Sequence, residues 1–128
     1  MRENMYALAV REGTLQFAID TLSTKTNSWQ WINTDVKIPV NQWIHVALQF
    51  DKGNIASVYI NGKWVKSSLY SGRVLYSVPF LMYYNIPLSI GRRAALGGTP
   101  FYGALSDIRI YNRVLTVEEL GQLAENNT

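Results

Sequence analysis

Apolar and polar residues alternate with a period of two along much of this chain, and that pattern predicts β-strands. Leu15, Phe17 and Ile19, for example, fall on one face of a predicted strand, and the residues between them fall on the other. The predicted strands, in chain order, are residues 5–10, 14–19, 28–38, 43–50, 56–60, 63–67, 88–90 and 106–111. In the strand 43–50, Trp43 is expected in the core.

Two short turns connect neighbouring strands into hairpins. Asn61-Gly62 separates two β-rich stretches and is a strong signal for a type I′ turn, because both positions need a positive φ. Gly13 marks a second tight turn. Antiparallel neighbours are therefore expected along the chain.

The C-terminal part predicts a strand that leads into a short capped helix. Ile108 and Ile110 alternate with polar residues, and Thr116 can cap a helix with Glu119 three residues later. With many short strands before it, this ending predicts an all-β fold. The expected architecture is a two-sheet antiparallel β-sandwich with one short C-terminal helix.

Composition narrows the class of protein. The 128 residues suit one domain, with the sandwich over about 5–123 and a tail at 124–128, and 48% hydrophobic residues indicate a folded chain. The net charge of +3 is scattered, which argues against nucleic-acid binding. No apolar run is long enough to span a membrane, and the absence of cysteine excludes disulfides. The N-terminus lacks the apolar stretch of a signal peptide, which leaves a cytoplasmic protein or a piece of a longer secreted chain.

The chain resembles the laminin G-like branch of the concanavalin A-like lectin/glucanase jelly rolls. Three blocks carry the resemblance: residues 43–47 continuing to Asp51, residues 58–63, and residues 103–120, which follow Leu88-Ser89-Ile90-Gly91 and Phe101. The resemblance implies a jelly-roll domain that recognises a glycan or polysaccharide as part of an extracellular or cell-surface protein.

Two further expectations come from comparing the chain with that family. Members usually carry additional N-terminal strands that have no counterpart before Met5, so we expect a partner to fill the gap. That partner is either a second copy, giving a homo-oligomer, or a missing N-terminal segment. The family also often binds Ca²⁺ near the strand that contains Asp107, which makes Asp107 a candidate metal ligand, while an ion pair with Arg109 is the alternative.

Catalytic signatures are missing from the sequence. His45 lies in a predicted strand with no nucleophile motif nearby, so a structural hydrogen bond to a neighbouring strand is expected instead. Glycoside hydrolysis needs two carboxylates, and the glucanases of this fold use a Glu-x-Asp-x-(x)-Glu motif on one strand, which does not occur here. The chain is therefore predicted not to be an enzyme.

Aromatic side chains are the best clue to a ligand, because the apolar faces of sugar rings stack on aromatic planes while amides and guanidinium groups bind the hydroxyls. The candidate ligand-binding residues are Trp29, Trp31, Trp64, Tyr83, Tyr84, Asn85, Arg92 and Arg93. The sequence thus predicts a non-catalytic carbohydrate-binding module. The alternative is a protein-interaction or assembly module without a sugar ligand, in which these aromatic residues serve the core or an interface.

Overall fold

The computed structural model of the protein describes residues 6–22, 27–51, 54–70, 73–74, 88–92 and 100–125. Within these ranges, the side chains of residues 20–22, 27–30 and 73–74 lie outside the description. The elements are β1 (Tyr6–Arg11), β2 (Thr14–Leu22), β3 (Asn27–Lys37), β4 (Val46–Asp51), β5 (Ile55–Ile60), β6 (Lys63–Leu69), β7 (Arg73–Val74) and α1 (Val117–Glu125).

These strands form two antiparallel sheets. The first has the order β1-β2-β3, with β7 beside the end of β2, and the second has the order β4-β5-β6. Strand β3 contacts β6, so the two sheets face each other with β1 and β4 toward the same edge. The predicted fold class, a concanavalin A-like β-sandwich with one C-terminal helix, is confirmed.

The core lies between the two sheets. Phe17 of β2 is fully buried and meets Phe50 of β4 edge to face, with ring centroids 5.7 Å apart. Phe50 makes a second edge-to-face contact with Tyr70. Leu15, Val36 and Val58 form an adjoining buried cluster, so the alternate residues of β2 and β5 face inward as their pattern predicts.

Both predicted hairpin turns form. Asn61 and Gly62 have φ values of 52° and 81°, as a type I′ turn requires, and Glu12 and Gly13 have φ values of 52° and 75°. The turn at Asn61 also holds the start of β4, because the His45 amide donates to Asn61 Oδ1 (2.9 Å) and the Asn61 amide donates to the His45 carbonyl (2.8 Å).

Strand β3 contains an irregularity that its sequence does not reveal. Its register with β2 shifts between Thr14 and Gln16. There, the buried Thr34 hydroxyl donates to the Leu15 carbonyl (2.6 Å) and accepts a hydrogen bond from the Val36 amide (3.2 Å). The threonine side chain therefore replaces part of the interrupted backbone ladder.

The predicted capping box of α1 is confirmed. The Glu119 amide donates to Thr116 Oγ1 (3.1 Å), and the Thr116 amide donates to Glu119 Oε2 (3.0 Å). The helix continues to Glu125, two residues beyond the expected end of the sandwich, and buries Leu120 and Ala124.

Three sequence predictions about local structure are wrong. Residues 106–111 and 88–90 are not strands, because a strand needs a neighbour to complete its backbone hydrogen bonds and none is paired with these residues in the described part of the chain. Trp43 is 67% exposed rather than buried. It precedes the first residue of β4, so the inward-facing alternation of that strand does not extend to it.

Candidate functional site

An aromatic and hydroxyl-bearing surface covers part of the outer side of the second sheet. Ala56 and Val58 of β5 are buried in the core, so Ser57 and Tyr59 between them face outward. On β6, Trp64 lies opposite Tyr59, and Ser67 lies opposite Ser57. We call these four residues, Ser57, Tyr59, Trp64 and Ser67, the Trp64 face.

A register shift in β6 brings Trp64 and Ser67 to the same side. In a regular strand, residues three apart point to opposite faces. Here the pairing with β5 passes directly from Lys66 to Trp64 and leaves out Val65. Because of this bulge, Trp64 Nε1 can donate to Ser67 Oγ at 2.9 Å.

The Trp64 indole is open to solvent although its orientation is set by that hydrogen bond. The side chain is 60% exposed, whereas core aromatic residues such as Phe17 are fully buried. The hydrogen bond from Nε1 restricts the orientations that the indole ring can adopt. Less conformational entropy is therefore lost when a ligand stacks on the ring.

The two serines beside the indole form a small hydrogen-bonding group. Ser57 Oγ and Ser67 Oγ lie 2.9 Å apart, and either can be the donor. That bond uses one of the two hydroxyl hydrogens, so the other can be donated to a ligand, and lone pairs of the oxygens can accept from one. Sequence analysis identified Trp64 but missed both serines, because only the bulge at Val65 places them beside the ring.

Trp31 lies on the opposite side of the molecule. It is paired with Ala18 on the outer side of the first sheet and is 41% exposed. Its neighbours across the strands, Ala18 and Ala7, are buried. Since two packed sheets separate Trp31 from Trp64, the structure does not combine the two tryptophans in one site.

The remaining candidate ligand residues are only partly described. Arg92 is exposed in a bend, where its carbonyl accepts a hydrogen bond from Ser89 Oγ (2.6 Å). Trp29 lies in β3 opposite Asp20, and its side chain lies outside the description. Four candidates lie outside the described residues, namely Tyr83, Tyr84, Asn85 and Arg93.

Asp107, the candidate calcium ligand, is bound by a cation of the protein. Arg109 Nε donates to Asp107 Oδ1 at 2.8 Å, and this bond, together with contributions from Tyr111, raises the pKa of Arg109. The ion pair is the alternative that the sequence left open. The described residues contain no group of three or more His, Cys, Asp or Glu side chains placed to hold a metal ion.

His45 is held at the start of β4 by its backbone and not by its ring. Its Nδ1 atom is buried and has no hydrogen-bond partner among the described residues, so the expected bond from the ring to a neighbouring strand is not found there. Burial lowers the pKa of His45 below its ordinary value, an effect that Asp107 opposes and Arg109 reinforces. The imidazole is therefore neutral at pH 7.

Comparison with known families agrees with this architecture. Residues 2–121 match the laminin G-type family described as the Concanavalin A-like lectin/glucanases superfamily. The chain belongs to this superfamily. The match covers nearly all of the lectin/glucanase-type sandwich described above, including both hairpins and most of α1.

A solved structure shows the same type of fold. It is an S-layer domain-containing protein (residues 221–444) from Clostridium thermocellum, with 24% sequence identity and a TM-score of 0.51. The alignment covers 88% of this chain and 52% of that one, so this lectin/glucanase-type chain spans about half the length of the solved one. No curated protein matches the chain. In its described part, no helix has the length and apolar character needed to cross a membrane.

Proposed function

We propose that this chain is a non-catalytic carbohydrate-binding domain whose ligand stacks on Trp64. The observation that carries the proposal is an indole that is 60% exposed and yet anchored through Nε1 to Ser67. Burial in the core would stabilise an apolar side chain of this size, so an indole that stays exposed and is held in place beside two hydroxyl groups favours a role at the surface.

The chemistry of the Trp64 face suits a sugar ring. The C–H face of a pyranose can pack on the open side of the indole, and its hydroxyl groups can exchange hydrogen bonds with Ser57 and Ser67. The face has no described ion pair of its own, so a neutral glycan or polysaccharide is the expected ligand class. Arg92 would act as a separate or additional contact, whereas Trp31 on the opposite side would take no part in this site.

The roles of three carboxylates support binding without hydrolysis. Asp35 pairs with Lys66 (3.2 Å). Glu119 pairs with Arg113 (2.9 Å), and Asp107 pairs with Arg109. A glycosidase needs one carboxylic acid to donate a proton and a second carboxylate to act as base or nucleophile. Arg113 and the Thr116 amide lower the pKa of Glu119, so this carboxyl group is ionised and is a poor proton donor at neutral pH.

An extracellular or cell-surface setting is part of the proposal. The family is defined by lectins and glucanases, and the solved relative is an S-layer domain-containing protein. Glycans are abundant at cell surfaces, where a carbohydrate-binding domain would find its ligand. Calcium bound near Asp107 remains a separate prediction, which the binding assay below includes.

The proposal is tested by binding to an array of neutral, acidic and sulfated glycans, with and without Ca²⁺. Trp64→Ala should lower the binding signal at least tenfold below that of the wild type. Trp64→Phe should retain part of the binding signal, because the smaller ring still stacks. Trp31→Ala is the matched control on the opposite face and should bind normally. Binding to no glycan, or loss of binding in Trp31→Ala but not in Trp64→Ala, would refute the proposed site.

An assembly module is the second candidate function, and one observation favours it. Leu8, Val10, Ile108 and Ile110 are all apolar and between 39% and 60% exposed. Exposed apolar side chains of this kind are available to bury against a partner. The two functions are compatible, because these residues do not belong to the Trp64 face.

A further inference from the structure

The outer side of the second sheet is occupied on two sides of the Trp64 face. On β4, Gln49 lies opposite Ser57, and its side chain binds both backbone groups of Leu115, through Oε1 (2.7 Å) and Nε2 (3.3 Å). Leu115 is itself buried and covers this part of the sheet. At the hairpin end, Gly62 packs closely on α1. In the described part of the chain, the path that leads away from the Trp64 face therefore runs along β6, away from the turn.

A second exposed apolar side chain lies on that path. Leu69, the last residue of β6, is paired with Ile55 of β5. The residues on either side of it belong to the inner side of the sheet, because Ser68 is paired with the buried Ala56 and Tyr70 is itself buried in the core. Strand alternation therefore places Leu69 on the outer side, where it is 76% exposed.

Three kinds of surface follow one another along β5 and β6. An aromatic row comes first, a row of two hydroxyl groups comes next, and an aliphatic row comes last. At about 3.4 Å per residue of β5, the hydroxyl row lies about 7 Å from the aromatic row, and the aliphatic row lies about 14 Å from it. The rows are Tyr59 with Trp64, Ser57 with Ser67, and Ile55 with Leu69, and none of these side chains is charged.

We propose that this surface binds a linear, neutral oligosaccharide that lies along β6 from Trp64 to Leu69. The inference rests on the function proposed above and names the form of glycan that the site takes. The distance of about 14 Å between the end rows exceeds the size of one sugar ring and suits a chain of about three rings. The outer two rings pack their C–H faces on Trp64 and Leu69, and the ring between them exchanges hydrogen bonds with the serines.

The position of Leu69 favours a chain over a single terminal sugar. A monosaccharide stacked on Trp64 would not reach Leu69, whereas a chain that reaches it would bury most of a side chain that is 76% exposed. The uncharged rows offer no guanidinium or ammonium group to pair with the carboxylate or sulfate of an acidic sugar. A neutral linear chain therefore uses all three rows.

A length series tests the proposal by isothermal titration calorimetry. The probes are linear oligomers of one to six sugar rings, namely β-1,4-linked glucose, β-1,3-linked glucose, β-1,4-linked mannose and β-1,4-linked N-acetylglucosamine. In a series that binds, the dissociation constant should fall at least tenfold from the disaccharide to the tetrasaccharide, because the longer chain also buries Leu69. A disaccharide that binds as tightly as the tetrasaccharide, or binding to none of these oligomers, would overturn the inference.

Substitutions at Leu69 test the path of the chain. Leu69→Ala should raise the dissociation constant of the tetrasaccharide at least fivefold and leave that of the disaccharide unchanged. Leu69→Trp should tighten binding of the tetrasaccharide alone, a gain that a folding defect cannot produce. Val40→Ala is the matched control, since Val40 is 78% exposed in the connection between β3 and β4, and it should change neither constant. Equal effects of Leu69→Ala on both lengths, or no effect on the tetrasaccharide, would refute the path.

Trp64→Ala separates failure of this inference from failure of the proposed function. It should weaken the disaccharide and the tetrasaccharide alike, because both need the indole. If Trp64→Ala weakens both and the Leu69 variants bind like the wild type, the carbohydrate site stands and the extended ligand is wrong. If the glycan array also shows no binding, the proposed function fails as well.

Discussion

Replacing Gly62 by alanine tests how closely α1 packs on the β5–β6 hairpin. Gly62 has a φ of 81°, in the region that favours glycine. A Cβ atom added there would lie 2.9 Å from the Cα atom of Gly121 and 3.4 Å from Cβ of Ala124. Because the nearest atom belongs to the helix backbone, no side-chain rotation can relieve the contact, and the helix or the hairpin must shift.

The expected cost has two parts. An alanine held in the left-handed region loses about 1–2 kcal/mol relative to glycine. Forcing an additional carbon against packed backbone costs a further ~1–3 kcal/mol. The sum, roughly 2–5 kcal/mol, is a large part of the stability of a typical domain, which is about 5–15 kcal/mol.

Gly13 provides a matched control for the first part. It has a φ of 75° in the other hairpin turn, but a Cβ atom there would meet nothing within 4 Å. Gly13→Ala should therefore cost only the conformational part, about 1–2 kcal/mol. The effect of alanine on the unfolded chain is similar at both sites and cancels in the difference.

Urea unfolding followed by tryptophan fluorescence and circular dichroism measures both variants. The reasoning predicts that Gly62→Ala lowers the free energy of unfolding by about 1–3 kcal/mol more than Gly13→Ala does. Equal losses in the two variants would show that α1 does not press on the hairpin, and the packing described here would then be wrong.

Three other substitutions have defined outcomes. Gly121→Ala should stabilise the fold by up to about 1 kcal/mol, since a Cβ there meets nothing within 4 Å and alanine favours helix; a lower melting temperature would contradict this. Thr116→Ala removes the Oγ1 acceptor of the Glu119 amide and should cost about 1 kcal/mol in urea unfolding, whereas Thr116→Ser should be nearly neutral. His45 has a pKa lowered below 6.5 by burial, so the unfolded chain binds a proton at higher pH than the folded one. Stability should therefore fall as the pH drops through 6.5 and level off below the folded pKa, and His45→Gln should remove this part of the pH dependence.

The features that sequence predicted well depend on residues close together in the chain. The Asn61-Gly62 turn needs only two residues that tolerate a positive φ, and the Thr116–Glu119 capping box spans four. Alternation along a strand likewise identifies which side chains share a face. These local signals, taken in order, were sufficient for the fold class.

The candidate site depended on contacts that local signals do not contain. Trp29, Trp31 and Trp64 are similar candidates in the sequence, but Trp31 and Trp64 lie on opposite sides of the sandwich. Trp43, which the sequence places in the core, is exposed before the start of β4. The serines join Trp64 only because β6 has a bulge at Val65. A bulge is set by the register between two strands and by the packing beneath them, which one strand's own residues do not specify.

Residues 106–111 separate the two kinds of information. The sequence by itself determined that residues 106–111 alternate like a strand and lead into a capped helix. Tertiary structure decided that they do not form one in the single chain. The physical reason is that alternation sets only which side of a strand is apolar, whereas the strand exists only when a neighbour supplies its hydrogen bonds and covers that side.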